Sequence, residues 1–162
     1  MKSLFLVGIL PALENSAIAE TIRQSSWFYP ILEIVHIVGI VLLVGPALMF
    51  DLRLLGFSKK IPVPDLAGYL LPWSRSALWL VIPSGVLLFI TNATSLSGDP
   101  TFWIKIFLLL SAGLNATTFH RFTSKKFEKP GLNRLPAGAK AAALLSITIW
   151  LAVIACGRLL AY

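Results

Sequence analysis

Residues Ser25–Gly56 read SSWFYPILEIVHIVGIVLLVGPALMFDLRLLG, and this stretch decides the fold. From Trp27 to Phe50 it is long enough and apolar enough to span a bilayer. Yet it carries Glu33 and His36 inside the run and closes with Asp51 and Arg53. Glu33 and His36 are three residues apart, so on a helix they share one face. That face continues through Ile40, Leu43 and Ala47 to Asp51. The polar groups of the segment therefore form one stripe, which is expected to turn away from lipid.

The composition around this stretch is of the same kind. The chain has 162 residues, 57% hydrophobic and 13% charged, with a mean hydropathy of +0.82. A soluble domain carries about a quarter charged residues. The apolar excess falls in blocks of about twenty residues, the signature of membrane spans. Four blocks read out, at about 27–50, 76–94, 101–119 and 141–160. The predicted fold is all-α: a single membrane domain over residues 1–162, an integral-membrane four-helix bundle with an N-terminal interfacial amphipathic helix over residues 1–24. That first segment opens like a signal peptide, with Lys2, the apolar run Leu4–Leu10 and the triplet Ala17-Ile18-Ala19. The run is short and ends at Pro11, so a retained helix is expected, with Leu10, Leu13, Ala17, Ile18 and Ile22 on its apolar side.

The net charge of +7 takes its meaning from placement. Arg121, Lys125, Lys126, Lys129, Arg134 and Lys140 lie between the third and fourth spans, against the single acid Glu128. Arg53, Lys59, Lys60 and Arg75 flank the first connection, while Ser95–Pro100 between spans two and three has no Lys or Arg. The positive-inside rule then puts loops one and three in the cytoplasm and both termini in the periplasm of a bacterial inner membrane. The basic runs are read as topology and contact with the lipid bilayer, not as a nucleic-acid surface. The single cysteine, Cys156, falls in the fourth span as a packing residue.

Local signals refine the spans. Trp27, Phe28 and Tyr29 form an interfacial aromatic belt, and Pro46 and Pro83 are expected to kink spans one and two. Loop one, with Pro62, Pro64 and Pro72, reads as a turn and a short helix on the cytoplasmic face. Gly98, Asp99 and Pro100 read as a tight turn. In span three, Lys105, Leu109, Ala112, Ala116 and His120 share one side; in span four, Ser146, Trp150, Gly157 and Ala161 do.

An ionisable residue inside a span is a functional hypothesis by default. At 1.5 Å per residue, Glu33 and His36 lie about 9 to 14 Å below Trp27, and Lys105 about 6 Å below the start of span three. Arg158 is similarly near the outer end of span four, so these four residues reach one outer-leaflet site. His120 lies about 28 Å down span three, which separates the two histidines by about 15 Å and argues against a bis-histidine haem. His36 is left to pair with Lys105, to hold a five-coordinate haem b alone, or to sit as a core histidine beside an ion pair of Glu33 with Lys105 or Arg158. A copper site on Glu33 and His36 is a further alternative. Glu33-x-x-His36 is also half of a di-iron motif, but the further inward carboxylates of such a site are missing. Asp51 is expected to pair with Arg53, Arg75 or Arg121.

The stretch quoted above, LNATTFHRF and LLSITIWLAVIACGRLLAY together resemble a family of small bacterial four-helix membrane proteins of unknown function. That resemblance covers almost the whole chain and implies a fold without an activity. His36, Gly45, Arg53-Leu54 and Trp103-Ile104-Lys105 are also similar to short patterns of the membrane-bound, haem-binding type of protoporphyrinogen oxidase. The likeness implies His36 and Lys105 as haem ligands; the added N-terminal helix, Glu33, Pro46 and a different fourth span depart from it. The functional expectation is a haem b or similar redox cofactor on His36 serving membrane electron transfer, with Glu33 and Arg158 as partners to propionates or to quinone. The competing expectation is a non-catalytic subunit that docks on a larger membrane complex or forms a homo-oligomer.

Overall fold

The computed structural model describes residues 2–58, 60–123 and 136–160, with side chains described from residue 8 onward and not at 122 and 123. Lys59, the basic run Lys125, Lys126, Lys129 and Arg134 with Glu128, and residues 161 and 162 lie outside the described residues. The elements are α1 (Lys2–Glu14), α2 (Ala17–Gln24), α3 (Phe28–Leu55), α4 (Val63–Thr91), α5 (Ala93–Gly98), α6 (Pro100–Thr118) and α7 (Ala137–Leu159). A π-helical turn, Phe119–Thr123, ends α6. The described residues contain no strand.

Four helices are long and apolar enough to cross a membrane: Phe28–Leu55, Val63–Thr91, Pro100–Arg121 and Ala137–Leu159. Their outward faces are apolar, as Ile34, Val41, Trp79, Leu110 and Leu151 illustrate, all well exposed. Such faces require a non-aqueous surround. The N-terminal helices, the α4–α6 connection and the C-terminal end of α7 lie at one end, called here the terminal face; the α3–α4 connection, the π-helical turn after α6 and the start of α7 lie at the other, the loop face.

The four spans form an open bundle in the order α4, α3, α7, α6. No Cα of α6 comes within 8 Å of α3 or α4, although α6 runs along α7. Side chains fill that gap. Trp150 of α7 packs against Leu43, Val44 and Ala77 on one side and the cluster around Ala112 on the other. Aromatic pairs tie α6 at both ends: Phe102 stacks on Phe89 at 5.2 Å between ring centres, and Phe119 meets Phe50 edge-on at 5.8 Å. Helices α3 and α4 approach closely at Gly39, where a Cβ would fall 2.8 Å from Val81 Cγ2 and 3.3 Å from the Val81 amide nitrogen.

Three expectations about the elements are corrected. The N-terminal segment is two helices, broken where Ser16 adopts an extended backbone and its hydroxyl accepts from the Ala19 amide, capping α2. Its buried residues are Ala19 and Ile22, whereas Leu13, Ala17 and Ile18 are exposed. The short surface helix expected in loop one is instead the start of α4, which runs unbroken from Val63 through Pro72 and Pro83. Pro62 and Pro64 fall at the cap and first turn, where the missing N–H costs nothing. Beyond α4, Asn92 leads into the one-and-a-half-turn helix α5 rather than straight into a tight turn. The helix α3 likewise continues through Pro46, and Ser74 Oγ donates to the Leu43 carbonyl at 2.6 Å beside it.

The N-terminal helices are fastened to the terminal face by polar contacts. Arg23 Nη1 donates to the Thr91 carbonyl at 3.0 Å, at the end of α4. The Glu14 carboxylate accepts from the Thr94 amide at 2.8 Å, and this contact holds its carboxyl below the usual carboxylate range.

Candidate functional site

Each span carries a floor residue near its middle: Leu43 on α3, Ala77 on α4, Ala112 on α6 and Trp150 on α7. Seven residues from each, toward the terminal face, stand His36, Ser84, Lys105 and Gly157. Seven residues are almost two turns, so each helix presents the same face about 10.5 Å higher. The four spans thereby bring one polar or side-chain-free position each to a common level.

Contacts at that level follow from this register. His36 Nδ1 lies 2.8 Å from Ser84 Oγ. The Ser84 hydroxyl donates back along its own helix to the Leu80 carbonyl at 2.5 Å, with the Val81 carbonyl at 3.3 Å. The single hydroxyl proton is thus engaged, and Ser84 Oγ is left to accept. That arrangement matches the tautomer with the proton on Nδ1 and the lone pair on Nε2, and the Val81 carbonyl lies beside the ring. The ring lies over Gly85, where an added Cβ would sit 3.1 Å from His36 Cε1.

Lys105 reaches the same level from α6. Its Nζ lies 3.7 Å from where a Cβ on Gly157 would be, and its charge acts on His36 and on the Cys156 thiol. His36 and Lys105 are both half-buried and are brought within electrostatic reach of one another. Glu33 is not drawn in with them. It is exposed on α3, one turn above the level of the Gly157 end of α7, and its carboxylate bonds the Tyr29 hydroxyl. Arg158, next to Gly157, is exposed on α7. His120 is exposed in the π-helical turn at the opposite end, apart from His36.

Asp51, at the loop-face end, differs from expectation. Its polar contact is Ser146 of α7. Arg53 Nε instead donates to the Ile61 carbonyl at 2.7 Å, Arg75 Nε to the Leu71 carbonyl at 3.4 Å, and Arg121 is exposed. Arg53 and Arg75 thus each donate to a backbone oxygen rather than to Asp51. Among the described residues no three His, Cys, Asp or Glu side chains gather as a metal-binding group.

Sequence reasoning brought out His36 and Lys105 but missed Ser84 and Gly85 as their neighbours. Pro83-Ser84-Gly85 read only as a kink. The signal was the antiparallel register: Gly39 against Val81 and His36 against Ser84 keep the same offset.

Fold and site define a four-span, all-helical membrane protein with a histidine–lysine level in the terminal half of its bundle. The chain belongs to a family of unknown function, DUF6644, whose model matches residues 23–162. The match takes in all four spans and leaves α1 and most of α2 outside it. No curated protein and no solved structure matches the chain, and no similarity to the haem-binding oxidase family is found.

Proposed function

We propose that this membrane protein binds a b-type haem or a similar redox cofactor through His36 and serves membrane electron transfer. The observation that carries the reading is the held imidazole: Nδ1 meets Ser84 Oγ, whose own proton goes to the Leu80 carbonyl, and the tautomer this favours keeps on Nε2 the lone pair a metal ligand needs. Lys105 fits as second ligand or as a cationic neighbour, and Gly85 and Gly157 leave the level free of side chains on two helices. The chemistry such a group supplies when bound is one-electron transfer. What the chain contributes is orientation of the imidazole, a positive charge beside it and shelter from water below, where Trp150 closes the floor. Exposed Glu33 with Tyr29 and the exposed Arg158 suit a quinone headgroup arriving through the bilayer.

The test is an absorption spectrum of protein purified from haem-replete cells. A Soret band lost in His36→Ala supports the reading; a colourless, fully folded preparation refutes it. Metal analysis of the same sample separates the copper alternative. The proposed setting is a bacterial inner membrane with both termini periplasmic, so Lys59→Cys should be modified only from the cytoplasmic side. The native Cys156 is buried and gives a low background.

A docking subunit of a larger complex, or a homo-oligomer, is favoured by one feature. Ser111, Asn115 and Thr118 line a shallow groove between α6 and α7 that opens outward from the bundle. Ser111 and Asn115 already donate to the Phe107 and Ala142 carbonyls, so what favours a partner helix is an open groove lined by small and polar residues rather than unmet donors. Purification in mild detergent as a lone monomer would count against that reading.

A further inference from the structure

We propose that Asp51 is a proton-binding site of the membrane domain, a carboxyl group that takes up and releases a proton at the loop-face end of the bundle. It is independent of the haem reading: on the same stripe of α3 it lies about 22 Å from His36 at ~1.5 Å per residue.

Three observations converge on Asp51. It is 7% exposed, on a helix whose other buried residues are apolar or glycine. Its Oδ2 is sealed from solvent and has no hydrogen-bond partner among the described residues. Ser146 of α7 is the polar side chain beside the carboxyl. An ionised carboxylate has about four lone-pair sites to satisfy, and here one whole oxygen is orphaned. A buried charge in that position takes a proton instead.

Among the described residues, the charged groups of the surrounding elements do not supply a counter-ion. On α3, Arg53 is turned to the Ile61 carbonyl; on α4, Arg75 is turned to Leu71 and Asp65 is exposed; on α7, Lys140 is exposed; in the π-helical turn, His120 and Arg121 are exposed. None of them acts electrostatically on the Asp51 carboxyl. A metal cation does not fit either. One carboxylate and one hydroxyl fall well short of the roughly six oxygens that hard cations require. A proton needs a single oxygen, and Asp51 lies about 6 Å from the end of α3, close enough for exchange with interfacial water.

The test uses the full-length protein in lipid nanodiscs and the apolar reagent dicyclohexylcarbodiimide. A protonated carboxyl adds across one C=N bond: its oxygen bonds the central carbon, its proton goes to nitrogen, and acyl migration leaves a stable N-acylurea with nothing expelled. Peptide mapping by mass spectrometry should find the adduct on Asp51, falling about tenfold per pH unit above the titration point and equal in sodium and potassium buffers. Infrared difference spectra of wild type against Asp51→Asn should show a protonated carboxyl band at neutral pH. Asp51 unmodified at every pH while exposed Glu33 is modified would overturn the proposal. So would sodium protection against labelling, or absence of the infrared band.

Discussion

Gly39→Ala tests the close approach of α3 and α4. The added Cβ would stand 2.8 Å from Val81 Cγ2, 3.2 Å from Leu80 Cβ and 3.3 Å from the Val81 amide nitrogen. Carbon–carbon contacts are optimal at about 3.5–4.0 Å, so α3 and α4 must separate locally by about 1 Å or Val81 must leave its rotamer. Overpacking of that order costs about 1–3 kcal/mol. Against it stands the helix preference of Ala over Gly, about 0.5–1 kcal/mol. Gly113→Ala on α6 provides the control, because a Cβ there meets nothing within 4 Å. The preference term is common to both variants, so the difference between them isolates the overpacking term. Unfolding of the purified protein in mixed micelles, followed by tryptophan fluorescence against denaturant, should place Gly39→Ala below Gly113→Ala by about 1–3 kcal/mol. Equal stabilities within about 0.5 kcal/mol would refute the close approach and the register drawn from it.

Trp150→Ala should cost about 3 kcal/mol in the same assay, the low end for loss of a large aromatic because Trp150 is only half-buried; no loss would mean it is not the wedge between α6 and the α3–α4 pair. Ser84→Ala removes the acceptor that orients His36, and cofactor affinity, read as Soret absorbance per protein, should fall about 10–100-fold, whereas unchanged occupancy would detach Ser84 from the site. Gly85→Ala pushes a Cβ to 3.1 Å from His36 Cε1 and should shift that absorbance, while Gly157→Ala, at 3.7 Å from Lys105 Nζ, should not. Glu14 has a folded value below its unfolded one, so its contact with Thr94 stabilises the terminal face above the unfolded carboxylate value and is lost as pH falls through the lowered folded value. Proteolysis of the N-terminal helices should therefore rise on acidification within that window, and Glu14→Gln should remove this dependence.

The spans were legible because hydropathy in twenty-residue blocks is a property of composition, independent of what each helix packs against. Boundaries were less so. Pro62, Pro64 and Pro72 read as helix breakers, yet two of them occupy the cap and first turn of α4, where proline has no hydrogen bond to lose. The break at Ser16 hid for the converse reason, since a side-chain cap can interrupt a helix without glycine or proline. In the site, depth counted along each helix brought His36 and Lys105 together. Helix-face arithmetic placed Glu33 with His36, but a face is buried only as far as the neighbouring helix extends. Described α7 ends at Leu159, two residues past Gly157, and Glu33 lies beyond that cover.

What a single helix cannot show is how four of them share a level, and that sharing explains the amino acids found there. At the floor, large Trp150 is met by small Ala77 and Ala112. Seven residues higher the sizes invert: α7 offers Gly157 and α4 offers Gly85, and the vacated space takes Lys105 and His36 respectively. Each long ionisable side chain faces a glycine on another helix, which lets it stay inside the bundle rather than reach for the interface. Carrying two such groups at one depth opposes stability, since both desolvate and their like charges repel when both are protonated. Packing alone would be served by leucine at either position. His36 and Lys105, with glycines to receive them and Ser84 beside the imidazole, are what the proposed cofactor site would use. Asp51, on the same stripe but beyond the Trp150 floor, is buried with Ser146 beside it and one carboxyl oxygen unpartnered among the described residues, so it holds a proton of its own rather than serving the pocket above.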